Sequence, residues 1–134
     1  MRGFITLIGI ASALCSSVAT AQDDHADPIA AGKQLYEAHC VACHGLGPGF
    51  PPFPELAGTS ALRAKYAGQL PALLAERTDL TPDFVAVYVR SGISIMPFYR
   101  KTELSDSELA SIGAYLSRNN PSLKSQESQR AAPQ

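Results

Sequence analysis

The sequence predicts an all-α fold in one small domain. Three observations lead there. Helix-start signals recur at Asp27-Pro28, at Thr81-Pro82 and at Ser105 with Glu108 three positions on; in each the first residue is a good cap, and proline fits the first helical position. The stretch from Gly45 to Pro54 carries too much glycine and proline for a helix or a central strand. No strand-then-helix alternation of the βαβ kind is visible.

The first 21 residues read as a secretory signal peptide. Arg2 gives a short positive region, Phe4 to Val18 an apolar run, and Ala19-Thr20-Ala21 a small-x-small cleavage site before Gln22. The apolar run is too short for a convincing membrane span. Cys15 follows the bulky Leu14, where a lipoprotein signal favours a small residue. The reading is therefore an exported, periplasmic chain with no membrane span after cleavage. Residues 22–118 form the domain, and 119–134 are expected to be a polar, disordered tail. The formal net charge of −1 gives no reason to expect nucleic acid or an anionic membrane as a partner.

Along the domain, Gln22 to Ala26 is an acidic leader. A first helix is expected from Pro28 to about His39, with Gly32 and Tyr36 on one face. Glycine there lets another helix approach closely. A helix over Ser60–Ala67 and a short one over Pro71–Arg77 follow. Phe84, Val85, Tyr88 and Val89 repeat at helical spacing after the Thr81 cap, and Ser91-Gly92 ends that helix. Ile93 to Tyr99 reads as extended, because Pro97 biases Met96 away from helix. The last helix begins with the Ser105/Glu108 capping box, with Leu104 and Leu109 placed as a hydrophobic staple. Leu109, Ile112, Tyr115 and Leu116 form its apolar face, and Asn119-Asn120-Pro121 stops it.

The first helix delivers Cys40-Val41-Ala42-Cys43-His44. C-x-x-C-H is the attachment signature of a c-type haem. Two thiols three positions apart at a helix end face one side and can add to the two vinyl groups of one porphyrin. His44 is then held beside the ring, where its imidazole can reach the iron. A structural zinc site would need two further Cys or His ligands at a second knuckle, and the one other cysteine is Cys15, in the signal. A thioredoxin-like pair would need a βαβ setting. Beyond the signal there is one methionine, Met96, in a loop between two helices. It is the expected sixth ligand, because a thioether opposite histidine raises the reduction potential. His25 in the leader and His39, on the opposite side from His44, are not expected to bind iron. Arg63, Lys65 and Tyr66 are candidates for the haem propionates, or an exposed helix face.

With these residues placed, the chain resembles the class I cytochromes c. The matching features are Gly32-x-x-x-Tyr36 before the haem motif, Pro54-x-Leu56-x-Gly58, Met96-Pro97 and the helix Ser105 to Arg118. The resemblance implies a small cytochrome c fold, with helices wrapped around one covalent haem. It implies that the first and last helices cross near Gly32 and Tyr115. It also implies that the Pro54 carbonyl accepts a hydrogen bond from the ligand imidazole, a role open to Pro51 or Pro52 as well.

With both axial positions filled, the iron has no open site, so electron transfer is the expected work and no catalytic residue is assigned. The alternative is a ligand-binding or peroxidase-like haem protein in which Met96 is displaced. The stretch Thr81 to Asn119 is also similar to cytochrome subunits that serve flavoprotein dehydrogenases of the p-cresol methylhydroxylase type. That likeness implies a flavoprotein donor, with electrons passed on to the respiratory chain. Lysines are few, while Phe50 to Phe53 and Ile93, Ile95 and Phe98 cluster in the loops expected to flank the haem. An apolar docking surface is the consequence.

Overall fold

The structure is a computed structural model that describes residues 27–49 and 55–131. The signal peptide, His25 and the Phe50–Pro54 stretch lie outside the described residues. The described chain is helical: α1 (Pro28–His39), α2 (Val41–His44), α3 (Ala57–Tyr66), α4 (Pro82–Ser91), α5 (Asp106–Ser117) and α6 (Pro121–Ala131), with one 3₁₀ turn at Leu74–Glu76.

The caps act as the sequence leads one to expect. The Asp27 carboxylate accepts from the Ile29 N–H at 3.0 Å, and the Thr81 hydroxyl accepts from the Phe84 N–H at 3.2 Å. Both arms of the Ser105/Glu108 box are formed. Leu104 and Leu109, flanking that box, are buried in one core with Tyr36, Leu80, Val85, Val89, Ile112, Tyr115 and Leu116.

Helix α1 packs most extensively on α5, and α4 packs on α5 as well. Gly32 makes the first crossing possible. A Cβ on it would lie 1.9 Å from the Ser111 carbonyl oxygen and 2.9 Å from the Tyr115 Cβ. The backbones of α1 and α5 are thus pressed together at this point. Tyr36, one turn on, stacks at a tilt on Tyr115 with ring centroids 5.5 Å apart. Gly113 allows the other approach, since its Cβ would stand 3.1 Å from Pro82.

Three elements differ from expectation. Helix α3 starts at Ala57 rather than Ser60, because the Leu56 carbonyl already accepts the Ser60 N–H at 2.8 Å. Leu56 has no capping side chain, so no polar residue announces the start. The expected helix over Pro71–Arg77 is only the 3₁₀ turn. Its Ala75 carbonyl is taken by the Arg118 guanidinium (2.8 Å) and the Asn119 side-chain amide (3.1 Å), so that segment is tied across to the end of α5. Finally, the tail expected to be disordered is helical over Pro121–Ala131. Asn120 caps it by accepting the Ser122 N–H at 3.0 Å, and Pro121 occupies the first helical position.

Replacing Gly32 by Ala should lower the stability of the holoprotein by about 3 kcal/mol, because the added methyl meets backbone that cannot rotate away. Denaturant unfolding followed by circular dichroism checks this; a midpoint unchanged from wild type would contradict the crossing.

Candidate functional site

The site is an apolar slot between two walls. One wall is α2 and the start of α3; the other is α4, α5 and the loop that follows α4. Its larger lobe encloses about 360 Å³ and an adjoining lobe about 110 Å³. Together they lie within the range of small-molecule and cofactor sites. Cys40, His44, Gly58, Val89, Ile95, Met96 and Ile112 line both lobes, and Cys43 lines the smaller one.

The chain turns sharply to present the haem motif. α1 ends at His39, and Cys40 starts the four-residue turn α2 by accepting the Cys43 N–H at 3.1 Å and the His44 N–H at 2.8 Å on its carbonyl. Tyr36 fixes the far end of that turn: its hydroxyl donates to the His44 carbonyl at 2.9 Å. Both thiols are free, Cys40 half-buried and Cys43 exposed. Burial pushes the Cys40 thiol up to about 11.

The His44 imidazole sits against the backbone at Gly58, where a Cβ would come within 2.6 Å of Cε1 and 2.7 Å of Nδ1. Thr59 locks this seat by donating its hydroxyl to the Gly45 carbonyl at 2.9 Å. Burial lowers the His44 pKa, which favours the neutral imidazole that a metal requires. Its Nδ1 is buried and has no hydrogen-bond partner among the described residues. Pro54, expected to supply an accepting carbonyl here, lies outside the described residues, as do Pro51 and Pro52.

Met96 reaches the slot from a tight turn, where the expected extended segment folds back on itself. Ile93 and Met96 exchange backbone hydrogen bonds of 3.2 and 2.9 Å, and Ser94 takes a positive φ of 54°. Gly92 closes α4 at φ 66°, and a Cβ on it would sit 2.8 Å from the Met96 carbonyl. A left-handed turn with backbone packed this closely calls for glycine. His44 and Met96 are thus brought to one slot, while His39 lies at the rim of the smaller lobe and stacks edge-on with Tyr99.

The polar end of the slot contains a residue the sequence analysis passed over. Arg77 is 2 % exposed and lines the larger lobe. Its guanidinium lies 4.4 Å over the Tyr66 ring and is held by the Asp79 carboxylate through two hydrogen bonds of 2.6 and 2.5 Å. Lys65 and Tyr66 line the same lobe. Arg63 instead forms an exposed two-pronged pair with Glu55. A buried arginine in an irregular segment has no periodic signal to mark it. The nearest clue is Asp79, two positions on.

An apolar slot, two free thiols on one turn, a neutral buried imidazole and a thioether fit a porphyrin and its iron. Comparison with known proteins agrees. The family described as "Cytochrome C oxidase, cbb3-type, subunit III" matches residues 27–116. The chain belongs to the c-type cytochromes. It is also similar to cytochrome c-554(547) of Halothiobacillus neapolitanus, with 31 % identity over 90 residues, spanning 65 % of this chain and 91 % of that protein. No solved structure matches. Membership implies covalently bound haem c and an electron carrier rather than an enzyme. Among the described residues no helix is long and apolar enough to cross a membrane.

Arg77 holds the Asp79 carboxyl below its ordinary value of 3.8. The stability this pair adds is therefore complete above the ordinary carboxylate range and is lost as pH falls through the depressed value. Asp79→Asn should weaken the cytochrome at neutral pH and flatten its loss of stability on acidification. Urea midpoints measured from pH 7 down to pH 3 test this (a range of about four units around the carboxylates); a slope equal to wild type would contradict it.

Proposed function

We propose that this cytochrome carries single electrons through one haem c bonded to Cys40 and Cys43, with His44 and Met96 as axial ligands of the iron. The observation that carries the reading is the convergence of His44 and Met96, from segments far apart in the chain, on one apolar slot. When bound, the haem supplies a one-electron ferric/ferrous couple. The chain's own work is to hold that couple steady. Gly58 and Thr59 seat the imidazole, and the Pro54 carbonyl is the proposed acceptor for its Nδ1–H. Gly92 and the Ile93/Met96 pairing place the thioether, which favours ferrous iron and raises the potential. The apolar walls keep water from the iron. Arg77, Lys65 and Tyr66 give the slot a cationic and hydroxylic end suited to the haem carboxylates.

The signal-like segment supports a periplasmic location. We further propose that the donor is a dehydrogenase of the flavoprotein hydroxylase type and that electrons pass on to the respiratory chain. The likeness of Thr81–Asn119 to cytochrome subunits of p-cresol methylhydroxylase-type enzymes supports this, as does an apolar surface beside the slot. Phe98, which lines neither lobe, is 59 % exposed, which suits a protein partner better than water.

Met96→His should keep a low-spin, six-coordinate iron and lower the potential, by a part of the roughly 0.8 V that axial ligands span. Met96→Ala should open the iron to carbon monoxide. Redox titration and absorption spectra decide; an unaltered Met96→Ala spectrum would mean that another residue is the ligand.

Apolar docking makes a separate prediction. The second-order rate of reduction by the donor dehydrogenase should fall only mildly as ionic strength rises from about 0.01 to 0.5 M, whereas charge-steered encounter would slow steeply. Stopped-flow measurement over that series is the check.

A further inference from the structure

We infer that Tyr99 is a positioning residue for Met96, tethering the methionine loop to the helix end that carries the haem motif. This rests on the His44/Met96 ligation proposed above. Four contacts meet at this one residue. Its hydroxyl donates to the His39 carbonyl at 3.0 Å, and His39 is bonded directly to Cys40. Its ring meets the His39 imidazole edge-on, with centroids 5.9 Å apart. Its backbone N–H donates to the Val89 carbonyl at 2.8 Å. Its own carbonyl accepts from the Arg90 guanidinium at 3.0 Å, and the second arm of Arg90 holds Asp106 at 2.8 Å.

Tyr99 therefore joins α1, α4 and the start of α5 three positions beyond Met96. The hydroxyl bond is the link between the two ligand-bearing segments, because α4 and the methionine loop already adjoin in sequence. Without it, the loop would still be pinned to α4 by Val89 and Arg90, with the edge contact of the His39 and Tyr99 rings alone to hold it against the end of α1. The thioether bond to iron is weak enough to be displaced by strong external ligands, so the loop's freedom sets how readily Met96 yields its place. Partial burial raises the phenol pKa, which keeps the hydroxyl a donor across the working pH range.

The test uses the holoprotein and potassium cyanide as the probe. Tyr99→Phe keeps the ring and its edge contact and removes only the hydroxyl bond. It should retain the methionine-to-iron charge-transfer band of the ferric protein and raise the cyanide association constant about 3- to 10-fold, the worth of one partly buried hydrogen bond. Leu109→Ala, a core change that leaves every hydrogen bond of Tyr99 in place, should lower stability more while leaving cyanide affinity within about twofold of wild type. In a Met96→Ala background, Tyr99→Phe should have no effect on cyanide binding. An affinity unchanged in Tyr99→Phe, an equal rise in Leu109→Ala, or a rise that persists without Met96 would each overturn the positioning role. A wild-type ferric spectrum without the charge-transfer band would overturn the ligation itself, and this inference with it.

Discussion

The crossing of α1 over α5 at Gly32 is the constraint on which the rest of the molecule depends. With the Ser111 carbonyl 1.9 Å from where a Cβ would stand, the two backbones set each other's height and angle. Tyr36, one turn along, is thereby driven into the core beside Tyr115. Its hydroxyl can then satisfy itself only on a nearby acceptor, and the acceptor is the His44 carbonyl. A contact between two helix backbones thus fixes the orientation of the turn that holds Cys40, Cys43 and His44. With the haem bonded as proposed above, the electron-carrying centre would be positioned by the closest crossing of α1 and α5.

The second half of the chain is organised differently. From Gly68 to Leu80 there is little regular structure, and side chains take over the hydrogen bonding that a helix would supply. Arg118, Asn119 and Asn120 reach back from the end of α5 to the carbonyls of Ala75 and Leu80. Arg77 turns inward to the slot and is neutralised by Asp79. A guanidinium this deeply buried is costly unless its hydrogen bonds are met. Here the carboxylate meets two of them, and the Tyr66 ring covers a face. The segment is irregular because its polar groups serve the slot and the end of α5.

An electron carrier differs from an enzyme in what its site must avoid. A site that admits substrate needs room and a labile ligand; a carrier needs a geometry that changes little between redox states. With the ligation proposed above, the methionine loop would meet that need through bonds that end on main-chain atoms. Gly92, the Ile93/Met96 pairing and Tyr99 all act on main-chain atoms. That leaves the side chain of Phe98, outside both lobes of the slot, exposed.

The sequence by itself determined the elements whose signals are local. Caps at Asp27, Thr81 and Ser105 act on N–H groups two or three positions away, so α1, α4 and α5 start where they are read. The C-x-x-C-H spacing needs only one turn of chain to put two thiols and an imidazole together, and Gly32 and Tyr36 declare a helix contact by sharing a face. Only the tertiary structure decided the rest. Ala57 begins a helix with no polar cap, because the helix is held by its packing over His44. The Pro71–Arg77 stretch forms only a 3₁₀ turn, and its Ala75 carbonyl is taken by donors from residues more than forty positions on. Arg77 is a slot residue because of where the chain folds, with no pattern to announce it. The 119–134 region is polar enough to read as disordered, yet Asn120 and Pro121 start a helix there. Long-range hydrogen bonds and backbone approach have no sequence period, which is why these features appear only when the chain is folded.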